Sequence, residues 1–263
     1  MSSGLTLIDH PVSSFGQKVR IALREKQIPF NFEPLPTVAS PQPDPKFAAA
    51  NPRLEVPVLI DGDLKIFDST IILNYLEDKW PDQVPLFPRD AAGRAKARMI
   101  EDVCDTHYEA INWGLGELVW MGRADGSLAE GLKSTAAKQI DEIFVWLEGQ
   151  LGDQPYFGGN KHGWADLAII PFVYRSSYFG VGPSDGSPMG SWFARMKQIS
   201  SVSQTLAEFD AAAPGMAQMA LDFKSGKRVR EYRDHRLEWM VKSGGIDIVT
   251  AGMRDGNIRF SWP

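Results

Sequence analysis

Cysteine is almost missing from this chain: there is one, Cys104, in 263 residues. A lone thiol excludes an internal disulfide framework, CxxC redox chemistry and a zinc site built on cysteines. Histidine is scarce too, at four. No His, Asp and Glu group has the spacing of metal ligands, so no metal is expected, and His107, His162 and His235 read as single polar residues. Apolar runs are short, and none reaches the roughly 18 residues of a membrane span. Positive charge is not in surplus either. Lys and Arg number 28 against 33 Asp and Glu, a net charge of −5, which argues against a nucleic-acid surface. The opening MSSGLTLIDHP carries neither the basic nor the apolar block of a secretory signal, so the cytoplasm is the expected compartment. What remains is an ordinary globular composition, 43% apolar and 23% charged, long enough for one large domain or two small ones. Tryptophan is plentiful at eight, and such rings suit both cores and flat hydrophobic ligands.

In chain order, Leu5 to Asp9 reads as a strand, His10 to Ser14 as a loop, and the following residues to about Lys26 as a helix. Val19, Ile21, Ala22 and Leu23 supply that helix's buried face, and Lys18, Arg20, Arg24, Glu25 and Lys26 are expected to point mostly outward. Ile28 to Phe32 starts a second strand. A run containing Pro34, Pro36, Pro41, Pro43 and Pro45 reads as an irregular loop ending in a short helix over Lys46 to Ala50.

The most informative stretch is Asn51 to Glu77. Val58-Leu59-Ile60 and Leu64-Lys65-Ile66-Phe67 flank an Asp61-Gly62 turn, the strongest local hairpin signal. Pro57 cannot donate to a sheet, so it belongs on an edge or in a cis bond. Asp68 and Ser69 stand where a helix N-cap falls, ahead of Ile71, Ile72, Tyr75 and Leu76 at helical spacing. A helix start gathers free N–H groups and suits a carboxylate, and a neighbouring strand with an exposed backbone suits a short peptide.

The set Val56-Pro57, hairpin, Asp68-Ser69 resembles the glutathione-binding half of the cytosolic glutathione transferases. The resemblance implies an α/β plus all-α fold: a thioredoxin-like domain over 1–80, a linker at 81–88, a helical domain over 89–226, and an extension over 227–263. It also implies that Val56, before a cis Pro57, pairs with the cysteinyl part of glutathione and that Asp68 and Ser69 hold its γ-glutamyl end. In the Ser-type branches the thiol-activating residue precedes the basic-Val-Arg stretch, here Lys18-Val19-Arg20. Ser13 fits that slot first, Ser14 is the neighbouring candidate, and Phe15 adjoins them. A free thiol has a pKa near 8.5, and lowering it by about two units takes roughly 2.7 kcal/mol of anion stabilisation, which one or two aimed donors at a helix start supply. Glu55 departs from the pattern, since a carboxylate there opposes a carboxylate of glutathione; Arg53, Lys46 and Arg20 are the candidates to offset it.

Beyond Trp80-Pro81 the chain reads as helical over Arg89 to Met121, Leu128 to Leu151, Trp164 to Tyr178 and Met189 to Ile199, with shorter pieces over 201–208 and 214–223. Gly163 to Asp166 resembles the family's capping box with Gly in the N-cap place. The electrophile site is expected between the domains, with Tyr108, Asn112, Trp113 and Trp120 on one helix and Tyr174 and Tyr178 on another. Cys104 is expected to be buried and inert. Lys227 to Lys242 reads as a charged helix, and the apolar residues after it, set among turns, as either a loose tail or one that folds back on the body.

The resemblance implies a homodimer using glutathione as co-substrate, its thiolate attacking a hydrophobic or aromatic electrophile. The extension is loosely similar to that of bacterial glutathione lyases and β-etherases acting on aryl ethers. An isomerase on the same scaffold and a non-catalytic ligand-binding module are the alternatives.

Overall fold

The computed structural model of the chain describes residues 4–35, 44–225, 227–228 and 235–256. Its first part is a four-stranded sheet in the order β2-β1-β3-β4, formed by β1 (Leu5–Asp9), β2 (Phe30–Pro34), β3 (Val58–Asp61) and β4 (Leu64–Phe67). Strand β2 runs parallel to β1, while β3 lies antiparallel to both β1 and β4. The crossover from β1 to β2 is helix α1 (Ser14–Glu25), with α2 (Pro45–Ala50) and α3 (Ser69–Lys79) completing the unit. This is the thioredoxin-like order expected from the sequence.

Two strand expectations need correction. The second strand begins at Phe30 and runs to Pro34, because Gln27, in the left-handed region at φ 53°, turns the chain ahead of it. Strand β3 is also an interior strand, not an edge. Pro57 is tolerated because it stands one residue before the ladder begins, in a cis bond with Val56. Of the proline run, Pro34 closes β2 and Pro45 opens α2; Pro36, Pro41 and Pro43 lie outside the described residues.

The remainder is helical: α4 (Ala91–Val103), a π-helical turn at Cys104–Tyr108, α5 (Glu109–Val119), α6 (Gly126–Leu151), α7 (Trp164–Tyr178), α8 (Pro188–Met196), α9 (Ser200–Ala212), a 3-10 turn at Ala213–Gln218, α10 (Met219–Lys224), α11 (His235–Lys242) and α12 (Ile246–Arg254). The single long helix expected over 89–121 is thus interrupted by a π turn, in which Cys104 and Tyr108 are buried. The expected charged helix over 227–242 is described only from His235, and residues 229–234 of it lie outside the described residues. The segment read as turns after Gly245 forms α12, with Ile246 and Ile248 exposed. Ile258, Phe260 and Trp262 fall outside the described residues.

One apolar core runs through both halves. Leu7, Val19, Ile21, Leu23, Leu59, Ile72 and Leu76 join Ile100, Tyr108, Ile140, Leu147, Trp164, Ile170 and Phe172 in a single cluster. Charge crosses the same boundary. Lys18, Arg20 and Lys26 are fully buried, contrary to the outward placement their charge suggests. Each is buried because an acid meets it. Lys18 Nζ lies 2.7 Å from Glu101 and 2.7 Å from Asp105, Arg20 Nε 3.0 Å from Asp9, and Lys26 Nζ 2.7 Å from Glu77. Glu101 also accepts from Thr70 Oγ1 on α3 at 2.8 Å and from the Trp164 indole on α7. A buried charge is tolerable only with such partners, so α1 is fixed against α4 and α7.

At α7 the N-cap place is Gly163, and Asp166 Oδ2 accepts from its backbone N–H at 2.9 Å. The same carboxylate takes the N–H groups of Phe157 and Gly158 and the Trp192 indole. One buried acid therefore closes the loop before α7 and ties it to α8. Among the described residues no helix is long and apolar enough to cross a membrane.

Candidate functional site

Strand register brings three separate segments to one end of the sheet. Ile8 lies opposite Val58, and Val58 lies opposite Phe67. The chain leaving β1 (His10 to Ser13), the chain entering β3 (Val56-Pro57) and the chain leaving β4 (Asp68-Ser69) consequently meet at the same edge.

Ser13 is the N-cap of α1, in an extended conformation, with its Oγ accepting from Gly16 N at 3.2 Å. An N-cap serine spends a lone pair in this way, and its O–H proton stays free to donate elsewhere. The residue is half-buried, whereas Ser14 is fully buried and its Oγ has no hydrogen-bond partner among the described residues. Phe15 packs edge-on against Phe172 at 5.7 Å. The loop itself is tightly held. Ser13 N donates to His10 O at 2.8 Å, Val12 N to His10 Nδ1 at 3.3 Å, and Gln17 Nε2 to Pro11 O at 3.0 Å. His10 stays neutral, because burial and then the nearby guanidiniums of Arg20, Arg228 and Arg175 push its pKa down to about 4. Each of these guanidiniums also faces a carboxylate: Arg20 faces Asp9, Arg175 faces Glu109 and Arg228 faces Asp222.

On the opposite side, Val56 is half-buried and its peptide to Pro57 is cis. Asp68 caps α3, with Oδ1 accepting from Thr70 N at 3.0 Å and Ile71 N at 3.2 Å. It occupies the left-handed region at φ 77°, which turns the chain sharply from β4 into the helix. Ser69 follows as the first helical residue. Glu55 is not left as a bare carboxylate. Arg53 Nη2 lies 2.6 Å from it, and Arg53 Nη1 lies 3.8 Å from Asp68. Of the three candidate counter-charges Arg53 is therefore the one beside the cradle: Lys46 pairs with Glu33 on the surface and Arg20 is buried with Asp9.

The aromatic stripe divides. Tyr108 is fully buried with its hydroxyl on Ser176 Oγ at 2.6 Å, and Asn112 is fully buried with Nδ2 donating to Phe172 O at 3.1 Å. Both point into the core instead of a cleft, on the buried face that Ile100, Cys104 and Leu115 continue at helical spacing. Trp113, Trp120 and Tyr174 instead belong to a second apolar cluster with Val12, Met121, Phe209, Met216 and Met219. Trp120 is buried, Trp113 and Tyr174 are half-buried, and Tyr174 OH donates to Asp210 at 2.7 Å. Tyr178 is exposed at the rim of this cluster, 5.3 Å from the Phe209 ring. Because Val12 is part of the cluster, this apolar wall adjoins Ser13. His10, Arg175 and Met219 were missed by sequence reasoning, since nothing local marks a residue whose partner is far along the chain. Cys104 is buried, and burial pushes its thiol well up.

Comparison with known proteins shows the family. Residues 7–83 match the family model "Glutathione S-transferase, N-terminal domain", and residues 105–195 match "Glutathione S-transferase, C-terminal domain". A probable glutathione S-transferase, parA of Nicotiana tabacum, is 34% identical over 173 residues, 65% of this chain and 73% of that one. Glutathione S-transferase U24 of Arabidopsis thaliana is 31% identical over 216 residues, covering 79% of this chain and 92% of its own. Among solved structures, a rice glutathione transferase in complex with glutathione superposes with a TM-score of 0.68 at 28% identity, over 83% of this chain and 98% of that one. Poplar glutathione transferase F1, at 20% identity and TM-score 0.67 over 78% of this chain and 98% of its own, shares the fold.

Proposed function

Because the chain belongs to the glutathione S-transferase family, we propose that it transfers glutathione to a hydrophobic, aromatic electrophile and that the Ser13 hydroxyl stabilises the glutathione thiolate. The observation that carries this reading is the state of Ser13. Its oxygen accepts from Gly16 N at 3.2 Å at the start of α1, and among the described residues nothing accepts its proton. Ser14 is the weaker candidate, being fully buried. In this reading Val56 pairs with the cysteinyl backbone, Ser69 and the α3 N-terminus receive the γ-glutamyl carboxylate, and Arg53 offsets Glu55. The thiolate's lone pair forms the new carbon–sulfur bond as the electrophile's leaving group departs with the displaced electron pair. Trp113, Trp120, Tyr174 and Met216 offer the apolar wall. A homodimer in the cytoplasm is part of the same proposal.

Initial rates with a halogenated nitroaromatic test this. Ser13→Ala is expected to lose most turnover, and Ser14→Ala to retain it. Unchanged turnover in Ser13→Ala would remove the mechanism. Release of an aryl-oxide from model aryl ethers, without turnover of the halogenated substrate, would select the ether-cleaving alternative.

A further inference from the structure

Besides the bonds within it, the Ser13 loop is held from the helical domain by a side chain of α7. Arg175 on α7 is buried, donates from Nη2 to Val12 O at 2.8 Å, and donates from Nη1 to Glu109 Oε1 at 2.8 Å and Oε2 at 3.1 Å. The Trp113 and Trp120 rings each have their centroids 5.9 Å from its guanidinium. Val12 is the residue before Ser13, so the peptide joining them is held at both ends: its oxygen by Arg175, its N–H by His10 O at 2.8 Å. Only the Ser13 side-chain torsion then remains, and Gly16 N sets it.

We infer that Arg175 is a positioning residue for the thiol-activating hydroxyl, acting across the domain boundary through the Val12–Ser13 peptide. This rests on the reading of Ser13 given above. The fork of a planar guanidinium meets the carbonyl and the carboxylate at once, which an ammonium cannot do with the same geometry. The link also joins the apolar wall to the sulfur site, since the two indoles that pack on Arg175 belong to the cluster containing Val12. A residue that acts only through Ser13 has no further effect once the hydroxyl is gone, and this separates positioning from general support of the fold.

The test is the pH titration of the bound glutathione thiol, followed by thiolate ultraviolet absorbance. It is run in the full-length protein, in Ser13→Ala, in Arg175→Gln, in Arg175→Lys and in the double variant Ser13→Ala/Arg175→Gln. Arg175→Gln is expected to raise the midpoint by about one unit, a tenfold loss of thiolate below both midpoints, with glutathione affinity by calorimetry, measured below both midpoints, little changed. Arg175→Lys is expected to fall between, and the double variant to match Ser13→Ala alone. An unshifted midpoint in Arg175→Gln, or an additive shift in the double variant, would overturn the inference. If circular dichroism shows Arg175→Gln unfolded, Arg175→Lys is read in the same cycle, alone and with Ser13→Ala, with the same criteria. A midpoint unaltered by Ser13→Ala removes the reading of Ser13, and this inference with it.

Discussion

Replacing Glu101 by Gln tests how much the buried charge network contributes to holding the two domains together. The substitution keeps size and shape but removes one negative charge from a site where Lys18 and Glu101 are both buried. Three donors lose their anionic acceptor: Lys18 Nζ, Thr70 Oγ1 and the Trp164 indole. Lys18 keeps Asp105 at 2.7 Å, so it is weakened and not orphaned. A hydrogen bond to a charged group contributes about 1.5–3 kcal/mol, and a buried donor facing an amide donor costs a further ~1–3 kcal/mol. Together they give about 4 kcal/mol, within the ~3–5 kcal/mol seen when one partner of a buried pair is removed. With a urea m-value near the upper end for single domains, about 3 kcal/mol/M, the midpoint should fall by roughly 1.3 M. Tryptophan fluorescence in urea, at matched protein concentration, measures it. Lys46→Ala is the control, because its pair with Glu33 is 65% and 46% exposed and should contribute under ~1 kcal/mol. A loss below about 1 kcal/mol in Glu101→Gln, equal to the control, would refute the argument that these charges are buried because they are paired.

Three other outcomes are expected. A Cβ on Gly16 would come within 1.8–2.0 Å of the Asp9 carboxylate; Gly16→Ala should therefore displace the N–H that holds Ser13, lowering thermal stability by about 1–3 kcal/mol and depressing turnover together. The hydrogen bond to Glu25 raises the His162 pKa, and Glu25, although burial pushes it up, is brought down on balance by hydrogen bonds from His162 and Ser201. Their mutual stabilisation is present above the unfolded Glu range and below the unfolded His range, and is lost as pH rises through the raised His162 value. His162→Gln should thus flatten the decline in stability above neutral pH by about 1 kcal/mol, read as melting temperature against pH. Native Cys104 should resist alkylation near neutral pH and react only on unfolding, as mass spectrometry would show.

Where signals are local, the sequence is readable. The Asp61-Gly62 turn, the Asp68 cap and the Asp166 capping contact each depend on neighbours within a few residues, and each occurs as expected. For Pro57 the residues leave an edge place or a cis bond open, and the family resemblance implies the cis bond that is found. Lys18 and Lys26 defeat the same reasoning because their acids lie far along the chain, on α4 and on α3, and Arg20 because it sits between Asp9 on β1 and Glu208 on α9. Periodicity likewise placed Tyr108 and Asn112 on one stripe with Trp113 and Trp120, but spacing alone does not say which neighbours cover a stripe: the first two lie in the core on Ser176 and Phe172, and the two indoles lie in the second cluster. Arg175 reads as an ordinary polar residue on α7 until its distance to Val12 O is known.

The central claim is that the first domain's sheet end cradles glutathione with the Ser13 hydroxyl on its sulfur, and a crystal structure with glutathione bound tests it most directly. The sulfur is expected within hydrogen-bond distance of Ser13 Oγ, the cysteinyl backbone paired with Val56, and the γ-glutamyl carboxylate at Ser69. A sulfur turned away from Ser13, or a tripeptide bound elsewhere on the chain, would contradict it.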